Sequence, residues 1–161
     1  MNKITKILIV VLIIIIFVLV ADALYCRTIS VEPDELYLSK ENSEESIQAT
    51  KGSYTWKERG LIKYVNVVSD SVGPTSIDYN QKIEAKSGEK IYFSDSNWSD
   101  IGASLILQKD GKDVAILPIE SNIEERYIIV PQLVNDEYVV KIDLKSDNGE
   151  VWYSAKIVIN D

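Results

Sequence analysis

Residues 7–21 read ILIVVLIIIIFVLVA, an unbroken apolar run, and the chain beyond them never repeats that pattern. From Lys51 onward, short β-branched and aromatic runs are separated by turn-forming residues about every ten positions, the signature of a sandwich or barrel. Strands are predicted over 53–57, 61–68, 82–85, 90–94, 103–109, 113–119, 127–130, 137–144 and 151–159. No helical period competes with them. Asp110-Gly111 and Asn148-Gly149 each lie between two such runs, and both dipeptides favour the tight turns that close antiparallel hairpins.

The C-terminal hairpin shows its faces most clearly. Tyr138, Val140, Ile142 and Leu144 alternate with Val139, Lys141 and Asp143, and on the partner Val151, Tyr153, Ala155, Ile157 and Ile159 alternate with Trp152, Ser154, Lys156 and Val158. Successive side chains of a strand point to opposite faces, so the first set of each strand is predicted to be core and the second to face water. Roughly seven to nine strands in about 110 residues fit an all-β, immunoglobulin-like antiparallel β-sandwich.

The apolar run needs a different solvent. A bilayer core roughly 30 Å thick takes about 20 residues of helix, so 7–21 must be extended to 7–25 to span it. Lys3 and Lys6 precede the run, and the excess of positive charge places residues 1–6 in the cytoplasm and the rest of the chain outside. Only Arg27 opposes this orientation. The same residues also fit a secretory signal peptide, because Ala21-Asp22-Ala23 has the small-x-small pattern of a cleavage site after Ala23. A lipid on Cys26 is disfavoured by Tyr25, which fills the place where lipoprotein signals carry a small residue. An uncleaved signal anchor in the cell membrane is the leading expectation and a secreted protein the alternative.

Residues 26–50 include KENSEESIQAT, polar and acidic, which cannot bury enough apolar surface to offset chain entropy. They are expected to form an acidic, largely flexible stalk, mobile over 40–48, with 29–38 docking at most as an edge interrupted by Pro33. The exported domain is then 51–161, enough for one core and no second. The net charge of -8, with 17 basic residues against 25 acidic, argues against nucleic acid or anionic lipid headgroups as partners, since both are held by Lys and Arg clusters. Cys26 is the single cysteine, so no disulfide can staple the domain and stability must come from packing. Pairing with a second copy through that thiol is conceivable; a residue at the helix end with no role is the plainer reading.

One local motif stands out: Gly52-Ser53-Tyr54-Thr55-Trp56, followed by Asp70 and Pro74. This combination resembles small membrane-anchored proteins of Gram-positive bacteria that carry a Gly-Ser/Thr-Tyr-Ser/Thr-Trp stretch and then an Asp and a Pro before a β-rich exported domain. A similar element is appended outside the membrane in some peptidase-type antibiotic sensors. The resemblance implies an envelope location and no chemistry. With no His in the chain there is no His-Glu-x-x-His zinc motif, and peptidase activity does not carry over.

Read physically, Tyr54 and Trp56 share one face of a strand. They either form an exposed platform for a glycan or peptide or, as the plainer reading has it, fill the core with large buried rings. Trp98, in SDSNWSD, and Trp152, opposite the core set of its strand, are the candidates for surface exposure. Asp95, Asn97 and Ser99 have the spacing of the first calcium ligands of an EF-hand, but Asp100 and Ile106 stand where that loop needs Gly and a bidentate Glu. No metal or cofactor is expected. The adjacent acids Glu124 and Glu125, or Asp136 and Glu137, suit a solvated surface better than a glycosidase pair, and without His the commonest general base is missing.

These readings converge on a non-enzymatic envelope protein: a membrane-anchored sandwich contacting another envelope protein or a cell-wall component. A secreted binding or inhibitor protein is the alternative. A third reading, a regulatory subunit acting through its membrane helix, stands beside them.

Overall fold

The structure, a computed structural model, describes residues 2–29, 31–41, 43, 45–93, 100–107, 112–121 and 126–160. Among these residues are one α-helix, α1 (Lys3–Tyr25), a short 3-10 helix (Pro74–Ser76) and twelve strands: β1 (Tyr37–Lys40), β2 (Ser46–Gln48), β3 (Thr50–Arg59), β4 (Tyr64–Ser69), β5 (Lys82–Ala85), β6 (Lys90–Phe93), β7 (Asp100–Leu107), β8 (Lys112–Leu117), β9 (Ile119–Ser121), β10 (Arg126–Ile129), β11 (Glu137–Ser146) and β12 (Gly149–Ile159). Two compact units emerge, one of Met1–Glu32 with Lys57–Val67, the other of Pro33–Trp56 with Val68–Asp161.

In the first unit, α1 has 23 residues. At roughly 1.5 Å per residue it is about 34 Å long, sufficient for a hydrocarbon core of about 30 Å. Its apolar side chains from Ile4 to Val20 are exposed on every side, and the one buried residue is Asp22, at 4% exposure. A buried carboxylate needs partners, and two are in place. The Asp22 carboxylate accepts the Ile62 backbone N–H at 2.9 Å, and the Cys26 thiol donates to it weakly at 3.8 Å. Ile62 lies in the turn joining β3 to β4, which the Gly60 N–H closes onto the Lys63 carbonyl at 2.8 Å. Gly60 is required there: a Cβ would come within 2.6 Å of the Cys26 sulfur and 2.8 Å of the Lys63 oxygen.

The second unit is a sandwich of two sheets on one core. One sheet has the order β2-β1-β6-β10-β9, and the other β4-β3-β12-β11-β7-β8 with β5 also on β12. The residues assigned to the core of the C-terminal hairpin, Tyr138, Val140, Ile142, Leu144, Val151, Tyr153, Ala155, Ile157 and Ile159, are all buried, and they pack against Leu38, Ile91, Phe93, Ile128 and Val130 of the opposite sheet. The Asn148-Gly149 turn sets the register, and Gly149 takes φ 151°, a backbone conformation costly for any residue with a Cβ. One pairing departs from a purely antiparallel plan. β3 pairs with the first half of β12, and β5 continues along the same edge, parallel, from Lys156 to Ile159.

Residues 26–50 depart from the expected stalk. β1 and β2 pair with each other and β1 pairs with β6, while Leu36, Leu38 and Ala49 are buried in the core. Tyr153, fully buried, donates its hydroxyl to the Asp34 carbonyl, and Lys51 reaches the Pro33 carbonyl at 2.7 Å and Glu35 at 3.1 Å. Burying two leucines is worth about 1.5–3 kcal/mol each, which acts together with the backbone pairing of β1 to β2 and β6 against the entropy cost of ordering the segment. The second unit accordingly begins at Pro33, not Lys51.

A second correction concerns the outer face of the C-terminal hairpin. Val139 and Ser154 lie on the face that the alternation predicts to meet water, yet both are buried. Over Ser154 lies the Tyr79 hydroxyl, which shares a 2.6 Å hydrogen bond with the Ser154 hydroxyl and another of 2.7 Å with the Pro74 carbonyl. Burial pushes the Tyr79 phenol above its ordinary range, and the Ser154 bond offsets part of that rise.

Candidate functional site

A concavity lies on the outer face of the larger sheet, and the strand register explains why it forms. Asp143 of β11 stands opposite Trp152 of β12 on one side and Gly102 of β7 on the other. Beyond Trp152 the β3 strand carries an irregularity: Tyr54 pairs with Val151 and Lys51 with Tyr153, so two β3 residues, Gly52 and Ser53, face the single Trp152. This is the geometry of a β-bulge. Gly52 lies under the indole, where an added Cβ would overlap the Trp152 ring. Glycine at this position is therefore what lets the ring lie flat on the strand. On the far side, a Cβ added at Gly102 would meet nothing within 4 Å, so the groove stays open there.

The resulting cleft has a volume of about 520 Å³ and is walled by Ser53, Thr55, Ser69, Asp70, Asp143, Lys145, Glu150 and Trp152, with Tyr54, Val151 and Leu144 among the apolar groups beneath. Trp152 is half-buried, whereas Asp70, Asp143 and Glu150 are exposed. The Ser53 hydroxyl is fixed by accepting the Ser71 N–H at 3.0 Å, and Asp143 is paired with Lys141 at 2.6 Å. An indole face, three carboxylates, three hydroxyls and one lysine amine together present an aromatic surface ringed mainly by hydrogen-bond acceptors. A ligand matched to it stacks an apolar face on Trp152 and directs hydroxyl or amine donors outward.

A second concavity, about 510 Å³, lies beside Glu35, Gln48, Lys51 and Tyr79. Glu35, Gln48 and Lys51 there serve each other. Burial raises the Glu35 carboxyl, but the hydrogen bonds from Gln48 and Lys51 and the Lys51 charge outweigh it and hold the group below its ordinary 4.5. The Gln48 amide donates to Glu35 at 2.7 Å.

The four aromatic candidates part company here. Trp152 lines the cleft. Tyr54 lines it as well, but from below, half-buried against the core. Trp56 is only 8% exposed, opposite Gly149, and is not at the cleft. Trp98 lies outside the described residues, as do Asp95, Asn97, Ser99, Glu124 and Glu125. Asp136 and Glu137 are taken by local contacts: Asp136 accepts the Glu137 N–H at 2.8 Å, and Glu137 pairs with Lys156 at 2.8 Å. Among the described residues, no three Cys, Asp or Glu side chains converge as a metal-binding group.

Sequence reading missed Gly52, Asp70, Asp143 and Glu150 as parts of the cleft. Counting back from the Asn148-Gly149 turn places Asp143 across from Trp152, so that pair was recoverable. The bulge that slides Gly52 under the ring carries no such signal. The chain matches no family model, and no curated protein or solved structure matches it.

Proposed function

We propose that the chain is a single-pass, non-enzymatic envelope protein whose β-sandwich is held outside the cytoplasmic membrane and binds a hydroxyl- or amine-bearing envelope component in the Trp152 cleft. The observation that carries the anchoring half is the Asp22 carboxylate bonded to the Ile62 N–H. Cleavage after Ala23 would remove Asp22 from a folded contact. It would also cut inside α1, which continues to Tyr25, whereas signal cleavage takes place beyond the apolar segment in a flexible stretch. Lys3 and Lys6 favour the cytoplasm for the N-terminus, which leaves the sandwich outside.

Strand order supports an immunoglobulin-like reading of the sandwich. The sequence β1-β6-β10-β9 follows the A-B-E-D order, and β12-β11-β7-β8 follows G-F-C with a C′ strand, as in variable-type domains. On this reading β2, β3 and β4 are an insertion after the first strand, and it is β3 of that insertion that supplies Gly52 to the cleft. The cleft's acceptor-rich rim and aromatic floor favour neutral or cationic groups over anionic polymers.

Two measurements test the proposal. The full-length protein should stay in the membrane fraction through a carbonate wash; recovery from the medium of protein beginning at Leu24 would replace this reading with the secreted one. Trp152→Ala should abolish crosslinking to the envelope neighbour captured by the intact protein while the denaturation midpoint shifts only modestly. Undiminished crosslinking would remove the cleft from the proposal.

A further inference from the structure

We infer that the turn between β3 and β4 is a second membrane contact, with Leu61 and Ile62 seated in the headgroup region of the leaflet at which α1 ends. This deepens the anchoring reading and rests on it. Leu61 is 56% exposed, Ile62 58% and Tyr64 58%, an apolar cluster at the tip of a hairpin in water-facing sequence. Such a cluster marks a contact surface. The bond from Ile62 to Asp22, in the last turn of α1, fixes which surface it meets, because it ties the tip to the level at which a helix of about 34 Å leaves a bilayer core of about 30 Å.

Three further features fit lipid rather than protein. The Gly60 N–H is bonded within the turn and the Ile62 N–H to Asp22, so these two donors do not enter a low-dielectric layer unsatisfied. Lys57, Arg59 and Lys63 flank the apolar tip with Glu58 as the one acid among them, a local reversal of sign in a chain of net charge -8. Cations beside an apolar tip suit phosphate headgroups, to which long basic side chains snorkel. Tyr25, the last residue of α1, and Tyr64, the first of β4, are both exposed, and aromatic rings with a polar edge concentrate at the membrane interface.

The test uses the full chain in vesicles of phosphatidylethanolamine and phosphatidylglycerol. Cys26→Ser gives a thiol-free background that keeps a donor for Asp22. Leu61→Cys and, separately, Ile13→Cys are then labelled with a nitroxide. Collisions with oxygen report lipid and those with a water-soluble nickel complex report solvent, with a free water-soluble nitroxide as the aqueous reference. The expected result is that the label at 61 shifts from the aqueous reference toward that at 13, favouring oxygen over nickel. A label at 61 matching the aqueous reference while 13 is in lipid would overturn this inference and leave the anchor standing. An aqueous label at 13 would overturn both. Spin–spin broadening at 61 would show a second copy covering the tip, and would likewise overturn it.

Discussion

Trp56 and Trp152 each lie against a glycine and have opposite fates. Trp56 pairs across the sheet with Gly149 and is buried, while Trp152 lies over Gly52 and keeps one side open to the cleft. In the sequence the alternation sets Trp152 opposite the core set of its strand and leaves Trp56 between platform and core, because a two-residue period assigns a face but cannot say whether that face is covered. For Trp56 the burial has a measurable size. Trp56→Ala removes a large buried ring and should cost about 3–5 kcal/mol, a large share of the 5–15 kcal/mol typical of a domain. Chemical denaturation of the purified protein measures this, and an unchanged midpoint would return Trp56 to the list of surface residues.

At the scale of elements, legibility followed the contrast between a pattern and its neighbours. β11 and β12 were readable because ten and eleven residues alternate around a turn dipeptide that admits one register. β5 was read with its observed limits, whereas its parallel pairing with β12 was not, because parallel partners leave no turn between them to betray the pairing. β1 and β2 were lost because their polar, acidic neighbours dominate the composition and hide the few apolar residues, Leu36, Leu38 and Ala49, that reach the core. Energetically they are not minor. A fragment of residues 33–161 should fold with a cooperative denaturation transition, whereas 51–161, lacking Leu36, Leu38 and Ala49, should show exposed core and a broad or absent transition. If the shorter fragment matches the longer in midpoint, the N-terminal strands are decoration and the expected stalk is reinstated.

At the scale of the whole molecule, the apolar helix was the plainest message in the sequence, but the significance of Asp22 at its end was not. An acidic residue after an apolar run reads as the start of water; only the fold shows it paired with a turn 40 residues later. The apolar stretch itself touches little, since its side chains are exposed all round. Replacing residues 7–21 with an unrelated apolar segment of equal length, keeping Asp22, should preserve membrane retention, the folded sandwich and crosslinking to the envelope neighbour. Loss of crosslinking with the fold intact would favour the reading in which the helix itself acts as a regulatory subunit.

The smaller sheet ends in β2 on one side and β9 on the other, and each is only three residues long. An open strand edge is a template for another chain, and its danger grows with its length and with the local concentration of copies. A protein confined to a surface meets its own copies in two dimensions, repeatedly and in a restricted set of orientations, so such encounters are far more frequent than dilution in three dimensions would suggest. Edges this short offer a colliding neighbour no more than a few backbone bonds, so on the proposed membrane surface the smaller sheet resists knitting to its copies, and the six-residue β4 and β8 that end the larger sheet are the edges left to guard.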